Sequence, residues 1–272
     1  MNEKHDKIAP VLARLCDQDE PPLLMFDYDG TLAPFVVNRD LAYPYPESKT
    51  LLKELCRTTR ARVVVVSGRP VADIARLLDL SPQPETWGCH GWERCTASGE
   101  LVTGALPEEA RDLLAHINSW FAEAGWDGQV EHKPASLALH WRGLGKAEQR
   151  RLENYARNKW ADLADQQILQ LHAFDGGLEW RLTNWSKADA VTTLMRESPS
   201  GTPVAYFGDD LTDEDAFRAL PQGGVAVLVR DQYRKTEAEL WLQPPGEMNA
   251  FLVRLLQRLQ GRHGKTLTGE SS

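Results

Sequence analysis

Asp27-Tyr28-Asp29-Gly30-Thr31 sets two carboxylates one residue apart, directly after the apolar run Leu23-Leu24-Met25-Phe26. A short apolar run ending abruptly in acids and a glycine is the pattern of a buried parallel strand whose C-terminal end opens into a turn. Open α/β sheets bind ligands along that edge. In such a turn Asp27 can act as a nucleophile, and Asp29 can carry a proton to and from the same oxygen position. Gly30 lets the backbone bend tightly beside a ligand, and Thr31 offers an amide and a hydroxyl to phosphate oxygens. The same residues also make ordinary turns and helix caps, so the pentapeptide alone does not decide between site and turn.

Two later segments repeat the pattern. Val63-Val64-Val65-Val66 is a run for an interior strand and stops at Ser67-Gly68-Arg69. Ser67 can donate to a phosphate oxygen and Gly68 permits close backbone approach, although a plain strand-loop-helix junction with Pro70 at the helix start fits as well. Val204-Ala205-Tyr206-Phe207-Gly208 runs into Asp209, Asp210, Asp213, Glu214 and Asp215, five acids in seven residues. Carboxylates this close raise one another's pKa unless a cation compensates, and oxygen-only ligands suit a hard ion such as Mg²⁺. Complementing a helix dipole accounts for Glu214 and Asp215 better than for Asp209 and Asp210. Between these segments, Ser186 reads as a helix cap and puts Lys187 in the first turn. A cation there opposes the macrodipole, a placement explained if it faces an anion; a solvated surface lysine is the other reading.

In order, the four segments resemble the four motifs of haloacid dehalogenase-type phosphatases: Asp-x-Asp-x-Thr, a strand-terminal Ser, a Lys, and Gly-Asp-Asp-x-x-Asp. The resemblance implies Asp27 as nucleophile and Asp29 as general acid/base, with Thr31, Ser67 and Lys187 binding phosphate. It implies a Mg²⁺ held by the Asp27 carboxylate, the Asp29 backbone carbonyl and Asp209, with Asp210 and Asp213 orienting Lys187 or metal-bound water. Gly30, Gly68 and Arg69 are the supporting residues.

About a hundred residues separate Arg69 from the next core element, far more than a normal βα connection, so something is inserted. The expected fold is α/β, a Rossmann-like parallel-sheet hydrolase core of residues 1–104 and 183–272, with an inserted α+β cap at 105–182. In the insert, residues 105–120 are predicted helical, with Leu113, Leu114 and Ile117 at helical spacing, and 146–163 form a second helix. Leu137–Trp141, Ile168–His172 and Leu178–Leu182 are predicted strands.

The insert narrows the resemblance to the trehalose-6-phosphate phosphatase family. It is carried by Cys89-His90-Gly91-Trp92-Glu93, by Val130-Glu131-His132-Lys133 followed by Leu137–Arg142, and by Glu179 before Lys187. By that resemblance Glu93, Glu131, Lys133 and Glu179, with Arg142, bind sugar hydroxyls. Charge-assisted hydrogen bonds of defined direction suit that task, while a cross-strand charged pair on a solvated sheet face is the structural alternative. The chain departs from the family pattern in Arg181–Ala188 and in Cys89 and Trp92. The implied reaction is Mg²⁺-dependent hydrolysis of trehalose 6-phosphate. The rivals are phosphatases for glucosylglycerol phosphate, sucrose 6-phosphate or mannosyl-3-phosphoglycerate, and, from another class, a non-catalytic sugar-phosphate sensor or a subunit docked on a synthase.

Composition narrows the partners. A net charge of −8 over 272 residues argues against a nucleic-acid or anionic-membrane surface. Nothing resembles a membrane span, and the polar Met1–Lys7 leads into an amphipathic stretch rather than a signal-peptide core. Cys16, Cys56, Cys89 and Cys95 form no Cys-x-x-Cys pair, which makes reduced thiols in the cytoplasm the expectation. The small, polar residues 264–272 read as a mobile tail. The expected partner is a small-molecule sugar phosphate, with a trehalose-phosphate synthase as the protein partner the resemblance leaves open.

Overall fold

A computed structural model describes residues 2–163, 167–174 and 176–268. In chain order the first elements are α1 (Asn2–Cys16), β1 (Leu23–Phe26), α2 (Pro46–Thr58), β2 (Arg62–Val66), α3 (Val71–Leu78), β3 (Glu85–Gly88), β4 (Glu93–Cys95) and β5 (Leu101–Thr103). Then come α4 (Glu108–Glu123), β6 (Val130–Lys133), β7 (Ser136–His140), α5 (Lys146–Ala161), β8 (Leu169–Phe174) and β9 (Gly177–Leu182). The chain ends with α6 (Lys187–Glu197), β10 (Val204–Gly208), α7 (Asp213–Ala219), β11 (Val225–Val229), β12 (Leu240–Leu242) and α8 (Gly246–Thr268). Contacts divide it into two compact units, Met1–Val102 with Ser186–Ser272, and Thr103–Trp185.

The first unit is built on an eight-stranded sheet of order β12-β11-β10-β1-β2-β3-β4-β5. Strands β12 through β3 run parallel and β4 turns back antiparallel on β3. The unbroken apolar runs follow from burial on both faces. Leu24, Phe26, Val63, Val65, Ala205, Phe207, Val225 and Val227 point into one core with residues of α1, α2, α3 and α8. Their neighbours Leu23, Met25, Val64, Val66, Val204 and Tyr206 point into a second core with α6 and α7. Phe26 and Phe207 stack with ring centroids 4.7 Å apart and tie β1 to β10.

Two sequence expectations fail in this sheet and its flanking helix. The sheet continues soon after Arg69 through β3, β4 and β5, so the next core element is near and not about a hundred residues away. Glu85-Thr86-Trp87-Gly88 lacks an apolar run, because Glu85 is buried by pairing with Arg62 and Arg94 rather than by being apolar. The expected tail from residue 264 is helical as far as Thr268, since a helix already nucleated extends at one backbone hydrogen bond per residue. Residues 269–272 of that expected tail lie outside the described residues.

The second unit is a four-stranded antiparallel sheet, β6-β7-β9-β8, with α4 and α5. Its registers put Glu131, Ala138, Glu179 and His172 in one row and Lys133, Ser136, Arg181 and Gln170 two residues along, on the same face. The other face carries Leu137, Leu139, Leu178 and Trp180. Trp180, fully buried, meets Phe121 of α4 at 5.5 Å and Trp160 of α5 at 6.5 Å between ring centroids. Strand β6 escaped the sequence reading because Val-Glu-His-Lys offers one apolar residue in four.

Trp180→Ala should destabilise the chain by roughly 3–5 kcal/mol, read from urea denaturation, because it empties the centre of this small core. A loss within about 0.5 kcal/mol, the range of an ordinary surface substitution, would place Trp180 outside it.

Candidate active site

From β1 the chain moves outward to β2 and β3, and later returns to place β10 on the opposite flank of β1. The crevice at the C-terminal ends of β1 and β10 is therefore a topological switch point, where open α/β sheets bind ligands. Asp27 sits on it, its N–H donating to the Phe207 carbonyl at 2.8 Å.

Lys187, from the first turn of α6, reaches the same point. Its Nζ donates to Asp27 Oδ1 at 2.5 Å and to Asp213 Oδ1 at 2.7 Å. Ser186 starts the helix by donating its N–H and hydroxyl to Asp189, at 2.7 and 2.8 Å. Asp213 Oδ1 also accepts from Tyr206 Oη at 2.9 Å, and Oδ2 accepts from the N–H groups of Asp209 and Asp210, both at 3.1 Å. The loop after β10 is thus folded around Asp213, and this turns Asp209 toward Asp27. A carboxylate oxygen from each of Asp27, Asp209 and Asp213 lies within 4.8 Å of the others.

All three acids and the lysine are buried. Burial and the nearby Asp213 push the Asp27 carboxyl up to about 8, against the pull of Lys187. Asp209 is raised well above its ordinary value by burial and by Asp27 and Asp213. For Lys187 burial acts to lower the value, but Asp213 and Asp27 together outweigh it and the ammonium stays charged. Asp209 Oδ2 is buried without a hydrogen-bond partner, with Arg230 Nη1 at 3.6 Å. An orphaned carboxylate oxygen among three converging acids fits a hard divalent cation with oxygen ligands.

The turn after β1 is closed by hydrogen bonds from the N–H groups of Leu32 and Ala33 to Tyr28 O, both at 2.9 Å, and from Gly30 N–H to Ala33 O at 2.7 Å. Gly30 has φ 84°, and a Cβ there would stand 2.3 Å from Asp209 Oδ2, so only glycine fits. The buried Thr31 hydroxyl has no hydrogen-bond partner. Asp29, by contrast, is held in a two-pronged ion pair by Arg69, Nε to Oδ2 at 2.6 Å and Nη2 to Oδ1 at 2.7 Å. Arg69 Nη1 also donates to Arg39 O at 2.9 Å. Ser67, buried at the end of β2, accepts from Arg69 N–H at 3.1 Å.

The segment Cys89–Glu93 braces these loops. Cys89 and His90 both have positive φ, at 48° and 56°, and their N–H groups donate to Arg69 O and Ser67 O at 2.9 Å. The His90 ring fills the space beside Gly68, where a Cβ would come within 2.6 Å. Glu93 Oε2 accepts from Val71 N–H at 2.7 Å and so caps α3 from a distance.

The structure thus brings together Asp27, Lys187, Asp209 and Asp213, with Asp210 at their edge donating its N–H to Asp213 and accepting from Leu211 N–H at 2.7 Å. The residues expected to bind sugar fall into separate groups. Glu93 is in the first unit and Glu131, Lys133, Arg142 and Glu179 are in the second. Within the second unit, Lys133 Nζ and Ser136 Oγ donate to Glu179 Oε1 at 2.8 and 2.7 Å, and Glu131 pairs with His140 at 2.7 Å. The Arg142 guanidinium lies over Gly176, about where a Cβ would meet it at 3.2 Å. Sequence reading missed Tyr206, which looks like one more apolar strand residue, and Arg234, whose partners only the fold reveals.

A family profile described as trehalose-phosphatase matches residues 25–243. The chain is 29% identical to a trehalose-phosphate phosphatase from Mycobacterium ulcerans over 88% of its length, and it spans 62% of that relative's length. Its fold is similar to the C-terminal domain of the Candida albicans trehalose-6-phosphate phosphatase, with TM-score 0.80 and 21% identity over 92% of this chain and 97% of that one. An Aspergillus fumigatus trehalose-6-phosphate phosphatase matches with TM-score 0.63 and 26% identity over 92% and 98%.

The raised Asp27 value has a defined consequence for stability. Its folded-state pKa exceeds the unfolded one, so without a divalent cation the stability present in acid is lost as pH rises toward about 8. A bound cation would take the place of the proton. The rise in Tm on adding Mg²⁺ should therefore be larger above pH 8 than in mild acid, and an equal or smaller rise there would contradict the buried-acid cluster.

Proposed function

Because this chain belongs to the trehalose-phosphatase family, we propose that it is a Mg²⁺-dependent phosphomonoesterase. Its proposed reaction converts trehalose 6-phosphate and water to trehalose and inorganic phosphate. The observation that carries the reading is the Lys187 ammonium bridging Asp27 and Asp213 at the switch point, beside the orphaned Asp209 Oδ2. Phosphoryl transfer is mostly positioning and neutralisation of charge, and this arrangement supplies both.

In this reading Asp27 attacks phosphorus and forms an aspartyl-phosphate, which water then cleaves. Asp29 is assigned the proton transfers, giving a proton taken up from solvent to the departing sugar oxygen and taking one from the attacking water, which requires one of its oxygens to leave the Arg69 fork that engages both here. Lys187, Thr31 and Ser67 bind phosphate oxygens. Asp27, the Asp29 carbonyl and Asp209 are the residues that would hold Mg²⁺, whose charge would neutralise the phosphate. Both oxygens of Asp213 accept hydrogen bonds from neighbouring groups, which suits a residue that orients Lys187.

Glu131, Lys133 and Glu179, with Arg142, are assigned to the sugar hydroxyls. Support comes from the polar face that Glu131, Lys133 and Glu179 share with Ser136 and from the paired donors that fix the Glu179 carboxylate. Glu93 has Oε2 taken by Val71 N–H, which leaves Oε1 as its atom for a sugar hydroxyl. The scattered cysteines favour the cytoplasm, and no described helix is long and apolar enough to cross a membrane. Association with a trehalose-phosphate synthase is part of the proposal, to be tested by co-purification.

Asp27→Asn should abolish turnover while the thermal transition persists; appreciable residual Mg²⁺-dependent hydrolysis would rule out the nucleophile. Glu131→Ala or Lys133→Ala should lower kcat/KM for trehalose 6-phosphate by about 10- to 100-fold, the worth of one hydrogen bond to a charged group. The same variants should leave p-nitrophenyl phosphate nearly unaffected, and equal losses on both would mean these residues do not read sugar. A panel including glucosylglycerol phosphate, sucrose 6-phosphate and mannosyl-3-phosphoglycerate, compared by kcat/KM, tests the substrate itself.

A further inference from the structure

The loop from Gly208 to Asp213 must hold Asp209 among like charges, and one guanidinium outside the four motifs grips its backbone. Arg234 Nε donates to Asp209 O at 3.2 Å and Nη2 donates to Asp210 O at 2.7 Å. Nη1 is paired with Glu214 in the first turn of α7 and also donates to Lys235 O at 3.1 Å. Glu214 is anchored in turn by Thr236 Oγ1 at 2.8 Å and Glu237 N–H at 2.9 Å. Arg230 Nη1 adds a longer contact to Asp209 O at 3.4 Å. Three nitrogens of one planar fork are thereby fixed on two consecutive carbonyls and a carboxylate, a geometry a lysine cannot reproduce.

With its carboxylate beside those of Asp27 and Asp213, Asp209 would move away if its backbone were loose, because each carboxylate repels the others. The peptide is instead pinned, and a carboxylate oxygen of Asp209 stays within 4.8 Å of those of Asp27 and Asp213. Resting on the cation reading above, we propose that Arg234 is the positioning residue of the cation-binding loop. By clamping the carbonyls of Asp209 and Asp210 to Glu214 it fixes the direction of the Asp209 carboxylate and sets the cation affinity of the cluster. It acts through the loop and not on the reacting atoms.

The test uses the full chain with Arg234→Ala and Arg234→Lys. The rise in Tm is followed against Mg²⁺ concentration without substrate, and Mg²⁺ activation of p-nitrophenyl phosphate hydrolysis is measured in parallel. Both variants should need about 10-fold or more Mg²⁺ for half-saturation, as expected when a group supporting a metal ligand is lost. Their kcat at saturating Mg²⁺ should stay close to that of the unaltered chain. An unchanged half-saturation point overturns the proposal, whether kcat falls or Tm drops equally at every Mg²⁺ concentration. Where Arg234→Ala fails to fold, Arg234→Lys, which keeps the charge, decides between these outcomes. An unaltered chain that Mg²⁺ does not stabilise would refute the cation site itself, an outcome visible before any variant is compared.

Discussion

A single ammonium group makes the centre of this molecule affordable. Asp27, Asp209 and Asp213 are all buried within reach of one another, and removing each charge from water costs several kcal/mol before any pairing. Lys187 neutralises two of them at 2.5 and 2.7 Å. The sequence secures it in an unfavourable place, the positive end of a helix, by letting Asp189 accept the Ser186 N–H and hydroxyl at the start of α6. With that end capped, the lysine side chain is left to answer the acids of β1 and of the loop after β10. Removing the ammonium would leave Asp27 and Asp213 facing each other uncompensated, so fold and chemistry depend on the same contact.

Around this contact two arginines do parallel work on two loops. Arg69 holds the carboxylate of Asp29 from the end of β2, and Arg234 holds the carbonyls of Asp209 and Asp210 from beyond β11. Each uses the planar fork to fix a group that has no rigid element of its own. Gly30 completes the arrangement, because its missing Cβ lets the turn after β1 come within van der Waals reach of Asp209. The sheet beneath, buried on both faces, gives these loops rigid strand ends to start from.

What could be read from the sequence follows from where chemistry leaves a linear trace. Apolar runs stopping at polar residues located the ends of β1, β2 and β10, and with them Asp27, Ser67 and Asp209. Lys187 opposes a helix dipole, but it is told from a solvated lysine only by its place in the order of the four motifs. Strands β3 and β6 were invisible because short strands that bury paired charges have no hydrophobic period. The partnerships of Arg69 with Asp29, of Tyr206 with Asp213 and of Arg234 with the loop carbonyls span separations that no local pattern encodes. Glu93, a sugar ligand by resemblance, also caps α3 through Oε2, a second contact that no local pattern shows.

The charge balance of the cluster also bears on the proposed chemistry. Three carboxylates face the Lys187 ammonium, with the Arg230 guanidinium 3.6 Å from Asp209 Oδ2, and with all three ionised the cluster is still crowded with negative charge in a buried, weakly screened environment. In the proposed reading, a divalent cation held by the cluster would offset that charge and favour the approach of phosphate. Lys187 would then have less negative charge to answer, and the hydroxyl of Thr31, which has no hydrogen-bond partner, would be available to donate to an incoming anion. The raised carboxyl values of Asp27 and Asp209 come first from burial and then from the neighbouring acids, and a cation held between them would offset both.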